Sequence, residues 1–332
     1  MTRPYQFRSS IGPTLARYVA LKRALGRRGD GAEHILRYLD HFLVSCHAED
    51  LTRETFATWA QSMEHLGTTT RRGRLRTVYH FCLFRHRGDS SVFVPDPTQF
   101  PPLAPRPLPH TFSEAEILRL LAAADGLAAH NASPLHREVA RVAIVVLYTT
   151  GLRRGEIVRL TIRDYDPVAR VLHIRQTKFY KSRLVPLSID AAVEIDRYLL
   201  ARQTHGAPSQ GDAPLLAHCH GARFRGYTGA AFGLLLRKVI RKAGIRTVQG
   251  RAPRVHDLRF TFAVHALLRW YRAGTDVQAR LAALATYMGH ASVVSTQYYL
   301  TSFPATAEAA SERFRTHCAA WLSDMARTGG GQ

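Results

Sequence analysis

Apolar positions in the first hundred residues recur at helical spacing. Leu15, Tyr18, Val19, Leu21 and Leu25 form one set, and Ile35, Leu36, Leu39, Phe42 and Leu43 a second. Residues three and four apart share one face of a helix, so each set predicts an amphipathic helix. Thr52 stands where an N-cap would, before a third stretch with Phe56, Trp59 and Met63 on one face. A fourth runs from about Thr70 to His86, with Leu75, Val78, Tyr79, Cys82 and Leu83 as its apolar face. Its start carries Arg71, Arg72, Arg74 and Arg76. Four such helices predict a small bundle over residues 1–94. The arginines form either a surface that grips a nucleic-acid backbone or a merely solvated face.

The periodicity stops at a run of prolines. Pro95, Pro97, Pro101, Pro102, Pro105, Pro107 and Pro109 fall within residues 95–110, which neither helix nor central strand accommodates. An extended linker between two domains is predicted there. Ser113 and Glu116 then form a capping box for a helix through Ile117, Leu120 and Leu121. An apolar stretch from Val139 to Tyr148 predicts a buried segment. Val171 to Gln176 alternates, Phe179 to Ser182 turns, and Leu184 to Leu187 returns, which predicts a β-hairpin. Helical periodicity resumes near Ala191 and dominates to the end, with His218-Cys219-His220 read as a loop and the terminal Gly-Gly-Gly-Gln as a frayed tail. The expected fold is therefore mainly α, with a small antiparallel β-sheet in the second of two domains, residues 111–332.

A chain of 332 residues supports two cores of this size. It has no apolar run of ~20 residues to cross a bilayer and no signal-peptide stretch at its start, so a soluble, cytoplasmic protein is expected. Charge adds more. There are 46 Lys and Arg against 25 Asp and Glu, a net +21. Self-repulsion on that scale points to a polyanionic partner. Cys46, Cys82, Cys219 and Cys318 lie too far apart for a disulfide framework, and no pair has the spacing of zinc ligands.

Five short segments of the second domain carry candidate chemistry. They are Thr150-Gly151-Leu152-Arg153-Arg154-Gly155-Glu156, then Thr177-Lys178 with Lys181-Ser182-Arg183 behind it, then His256-Asp257-Leu258-Arg259, Gly289-His290, and Tyr298-Tyr299. Each alone could be structural. His256 and Arg259, three apart, share a helix face. Tyr299 follows His290 by nine residues. Adjacent tyrosines on a helix point well apart, so only one of Tyr298 and Tyr299 can face a common target.

In this order and spacing the segments resemble the signature of the tyrosine recombinase (phage integrase) family. The helical first domain and proline-rich linker are similar to that family's core-binding domain and connector. The resemblance implies that Arg153 and Arg259 clamp the scissile phosphate, that Lys178 is the hairpin lysine, and that His256 and His290 are the two active-site histidines. It makes Tyr299 the nucleophile, favoured over Tyr298 by the spacing from His290. Glu156 matches an acidic position that supports the site from behind. Lys181, Arg183 and Arg254, with the four arginines at 71 to 76, are further candidates for DNA contact, and Lys181 and Arg183 also compete with Lys178 as the hairpin cation. Phe260 stands where the family commonly has His. The stretch from Leu267 to Tyr271, followed by Thr286 to His290, also resembles integrases carried by transposable elements.

These residue types suit the implied reaction. Two guanidiniums neutralise the charge that builds on the nonbridging oxygens of a phosphodiester under attack. A phenol with pKa ~10 needs a base or nearby cations before it attacks, and His256 suits that transfer. The leaving 5′ oxygen needs a proton, for which Lys178 is placed. A phosphotyrosyl link conserves the bond energy, so rejoining calls for no ATP; no metal or cofactor is implied either, and the sequence has no carboxylate cluster of the two-metal kind. The expected partner is double-stranded DNA. By resemblance the protein forms a homotetramer or hetero-assembly on DNA, associated with the prokaryotic nucleoid. Its C-terminal segment, with Phe314, Cys318, Trp321 and Leu322, either packs on its own domain or docks into a neighbouring protomer. Two alternatives stand beside this reading: DNA relaxation of the type IB topoisomerase kind, and a non-catalytic DNA-binding accessory on the same fold.

Overall fold

The computed structural model describes residues 5–26, 30–105, 108–128, 133–175, 182–220 and 223–289, together with Ser311, Glu312 and Arg315. The chain divides into two compact units between Pro107 and Leu108.

The first unit is four helices: α1 (Gly12–Ala24), α2 (Asp30–Ser45), α3 (Arg53–Gln61) and α4 (Thr68–His86). Its core is built from the apolar stripes of these helices, with Leu15, Leu36, Leu39, Leu43, Trp59, Val78 and Phe81 almost wholly buried. Thr52 caps α3 by accepting from the backbone N–H of Thr55 at 3.2 Å. A buried carboxylate ties down the entering chain. Asp40 on α2 accepts from the Arg8 and Ser9 backbone N–H groups at 2.9 Å and from the Ser9 hydroxyl at 2.6 Å.

The proline-rich segment is only partly a free connector. Pro97–Gln99 forms a short 3-10 helix, and Phe100 is buried in the core of the first unit. Arg72 of α4 donates to the carbonyls of Phe100 and Pro101 at 3.1 and 2.7 Å. Proline forbids the repetitive ladder, yet an isolated aromatic between prolines still finds an apolar site.

The second unit opens with α5 (Glu114–Asp125), whose capping box pairs Glu116 N–H with Ser113 Oγ at 3.2 Å and Ser113 N–H with Glu116 Oε2 at 2.9 Å. Next come α6 (His136–Thr150) and the single turn α7 (Arg154–Ile157). A three-stranded antiparallel sheet of β1 (Tyr165–Asp166), β2 (Val171–Ile174) and β3 (Arg183–Pro186) follows, with Leu172 opposite Val185 and Ile174 opposite Arg183. Then come α8 (Ile189–Thr204), a second hairpin of β4 (Ala217–His220) and β5 (Arg223–Gly226), α9 (Gly229–Lys242), α10 (Asp257–Arg272) and α11 (Val277–Met288).

The second hairpin corrects one expectation: His218-Cys219-His220 lies in a strand and not in a loop. These strands are four residues each, too short for their alternation to stand out from a loop. The core centres on α6, with Val139, Ala140, Ala143, Ile144 and Leu147 buried among α5, α8 and α9. A second cluster, including Val264, Leu267, Leu281 and Met288, locks α10 to α11. No helix among the described residues is long and apolar enough to cross a membrane.

Candidate active site

The site begins where α6 stops. Gly151 closes that helix in the left-handed region, φ +62°, and a Cβ there would lie 2.5 Å from the Phe262 ring. Glycine alone fits both demands. The turn delivers Arg153 to the N-cap of α7. Its backbone N–H donates to Glu156 Oε2 and its Nη1 to Glu156 Oε1, both at 2.9 Å. Its Nη2 donates to the carbonyl of Gly289 at 2.8 Å.

Two more arginines converge on the same place. Arg259, near the start of α10 and 2% exposed, donates through Nη1 to Gly151 O at 2.6 Å and through Nη2 to Met288 O at 2.7 Å. Arg183, the first residue of β3, donates through Nε to Tyr287 O at 2.8 Å. Its Nη1 and Nη2 reach the two oxygens of Glu156 at 3.2 and 2.9 Å.

Three successive carbonyls at the end of α11, those of Tyr287, Met288 and Gly289, therefore accept from three arginines on three different elements. A helix end leaves such carbonyls unpaired and carries partial negative charge, which cations satisfy. Gly289 closes α11 in the left-handed region at φ +67°, and the next residue in the chain is His290.

Glu156 is buried at 4% exposure. Burial alone would raise its pKa, but the Arg183 hydrogen bonds, the Arg153 backbone N–H and the charge of both guanidiniums outweigh it and bring it down to about 2. The carboxylate stays charged and holds the two arginines. His256, the N-cap of α10, sits with its ring edge-on to Phe260 at 5.2 Å. Protein crowded around the ring, with Arg259, Arg254 and Arg153 nearby, lowers its pKa to about 4 despite the opposing pull of Asp257. At neutral pH it is an uncharged imidazole able to accept a proton. Asp257 is buried and paired with Arg254, whose backbone N–H and Nη2 donate to it at 2.8 and 3.0 Å.

Beside Arg153 and His256 opens a cleft of about 620 Å³ that is also lined by Arg154, Arg237, Arg241 and Arg254. Among the described residues no carboxylate lines it, and none of their ion pairs involves Arg154, Arg237 or Arg241. A Cβ added at Gly233 on α9 would lie 2.9 Å from Arg154 Nη1, so the guanidinium lies against that glycine. The sequence reading missed these three arginines. The visible signal was the i, i+4 pair Arg237 and Arg241 on the polar side of an amphipathic helix.

The structure thus gathers Arg153, Glu156, His256 and Arg259. It gives Arg183 an internal use rather than a surface one, because its guanidinium is already engaged. Lys178, Lys181, His290, Tyr298 and Tyr299 lie outside the described residues, as do Phe314, Cys318, Trp321 and Leu322. In the first unit, the arginines of α4 do not form one open row. Arg72 holds the proline segment, Arg71 pairs with Glu64 at 3.5 Å, and Arg74 lies over the Tyr38 ring at 4.7 Å. Arg76 is exposed. Among the described residues no group of three or more His, Cys, Asp or Glu side chains is placed to hold a metal.

Residues 110–305 match the phage integrase family model. The chain is 32% identical over 299 residues to a Sinorhizobium fredii protein described as integrase/recombinase y4rB, covering 89% of this chain and 94% of that one. It is 31% identical to the tyrosine recombinase XerD of Caulobacter vibrioides, over 83% of this chain and 84% of the relative. The fold is that of the Tn1549 transposon integrase solved with transposon right-end DNA, with a TM-score of 0.62, 18% identity and coverage of 92% and 99% of the two chains. A lambda integrase dimer bound to a core site gives a TM-score of 0.58 at 17% identity, covering 88% and 95%. The chain belongs to the phage integrase family, that of the tyrosine-type site-specific recombinases.

Proposed function

We propose that the protein recombines specific sites in duplex DNA through a 3′-phosphotyrosyl intermediate formed by Tyr299. The convergence of Arg153 and Arg259 on the end of α11, one residue before His290, with His256 lining a cleft beside Arg153, carries this reading.

The phenolic oxygen of Tyr299 attacks phosphorus, and the bond from phosphorus to the 5′ oxygen breaks as the new ester forms. His256 takes the phenolic proton and Lys178 gives one to the departing 5′ oxygen. Arg153 and Arg259 hold the nonbridging oxygens, where charge accumulates. Attack by the 5′ hydroxyl of another strand reverses each step and releases the tyrosine. The arginine-lined cleft suits the phosphates that flank the reacting one, which permanently charged forks grip without reading sequence.

Assembly of four protomers on two sites, coupled through the C-terminal segment, belongs to the same reading. Gel filtration on the DNA site with a chain truncated after Ser302 tests it, and unchanged assembly removes the segment from that role.

A nicked DNA substrate that traps the covalent step tests the chemistry. The expected result is a protein–DNA adduct abolished by Tyr299→Phe and kept by Tyr298→Phe. No adduct on any cognate site would leave a DNA-binding accessory. Relaxation of supercoils without exchange between two sites would make the protein a topoisomerase.

A further inference from the structure

Arg183 is the arginine of this cluster that the proposed reaction leaves without a task. Its Nε, Nη1 and Nη2 are all engaged, with the Tyr287 carbonyl and Glu156, so it presents little to a phosphate. Its contacts join two elements: both oxygens of Glu156 on α7 and the carbonyl of Tyr287 on α11. It also fills space that only glycine leaves open. A Cβ at Gly289 would lie 2.6 Å from Arg183 Nη1 and 2.9 Å from its Cζ. One guanidinium thus ties β3 to both α7 and the end of α11, beside the bond that the Tyr287 hydroxyl donates to the Pro186 carbonyl at 3.1 Å.

We infer that Arg183 is a positioning residue for the proposed strand cleavage: it neutralises Glu156 and sets the end of α11, so that Arg153 is oriented by Glu156 without being spent on it. The division of labour follows from charge. Glu156 carries one negative charge, and among the described residues Arg153 on its own turn and Arg183 from β3 are the cations paired with it. With Arg183 present, one cation balances the carboxylate and the charge of Arg153 remains for the phosphate. Without Arg183, Glu156 competes with DNA for Arg153, and the carbonyl of Tyr287 loses the donor that registers α11. Lysine cannot replace it, because a single ammonium has no planar fork to span a carboxylate and a carbonyl together.

The inference rests on the proposed reaction, and one experiment separates the two. Adduct formation is followed in single turnovers at saturating nicked DNA, between about pH 5 and pH 9, for the unaltered chain, Arg183→Lys and Arg183→Met. Both variants should cleave roughly ten- to a hundredfold more slowly, the scale of a small misplacement of reacting groups. DNA affinity should change by less than about threefold, because Arg183 is not a phosphate contact. Loss of the Arg183 hydrogen bonds should also raise the Glu156 pKa, so a fall in rate enters this window from its acid end, further in Arg183→Met than in Arg183→Lys. If Arg183→Met melts too readily to assay, Arg183→Lys keeps the charge and carries the test. Variants with the unaltered rate and profile, or a defect confined to DNA affinity, would overturn the inference while leaving the recombinase reading intact. No adduct from the unaltered chain would sink both.

Discussion

The arginines at the start of α4 and those at the end of α11 are the same residue type put to different use. On α4, Arg71 and Arg74 lean on Glu64 and Tyr38 near the surface, and Arg76 is open to solvent. Such exposed contacts contribute little, typically below ~1 kcal/mol, since water competes for every partner. At α11, the buried Arg259 and the largely covered Arg183 donate to backbone carbonyls and a buried carboxylate with little access to water. A buried acceptor left unsatisfied costs far more than a surface contact contributes. Arg72 stands between the two cases, half-buried and holding Phe100 and Pro101. What separates the groups is therefore the partner's access to water rather than the arginine.

The sharpest way to break this comparison is Arg259→Lys. It should slow adduct formation on the order of a thousandfold, because one ammonium cannot serve Gly151, Met288 and a phosphate together. A rate within about tenfold of the unaltered chain would mean the buried cluster behaves like the α4 surface.

Glu156→Gln comes next. Removing the charge from a buried pair should destabilise the protein by about 3 kcal/mol in urea melts at neutral pH. The pH dependence sharpens the point. Glu156 has its pKa lowered from 4.5 to about 2, so its stabilisation is complete above the ordinary carboxylate range and disappears as pH falls from there toward 2. That part of the acid loss should be missing from the variant.

Glycines make the same contrast at smaller scale. Gly151→Ala and Gly289→Ala each combine a positive φ with a collision, against Phe262 and Arg183 respectively, and each should cost roughly 2 kcal/mol or more. Gly73→Ala on α4 meets nothing within 4 Å, and there the thermal midpoint should rise, by about 0.5–1 kcal/mol in stability. If all three moved stability the same way, packing would not be what distinguishes the regions.

The smallest effect belongs to Arg76→Ala. Stability should stay within about 0.5 kcal/mol. If the residue meets a DNA phosphate, the slope of log affinity against log salt should fall by about one. An unchanged slope would make it a solvated surface charge.

Much of this site was legible in the chain, because its signals are local. Ser113 and Glu116 form the capping box that their spacing predicts, and left-handed glycines stand where α6 and α11 end. The apolar sets of the first four helices are for the most part core, although Leu21 and Leu25 remain exposed. Arg183 could not be read in the same way. In sequence it is one of several cations beside a turn, with nothing local to separate it from Lys181. Its partner Tyr287 lies 104 residues away, and only the packing of β3 on α11 brings them together. The same holds for Phe100, which a run of prolines seemed to consign to a linker.

What the sequence determined by itself is the helices of the first unit, the caps at Thr52 and Ser113, and the order in which Arg153, Lys178, His256, Arg259, His290 and Tyr299 follow one another, since periodicity, capping and spacing act within a few residues. What only the tertiary structure decided is how each cation is employed. Arg259 meets Gly151 across 108 residues and Arg153 meets Gly289 across 136. Whether an arginine faces water, a phosphate or a buried carbonyl depends on which surfaces the folded chain closes over it, and no short segment carries that information.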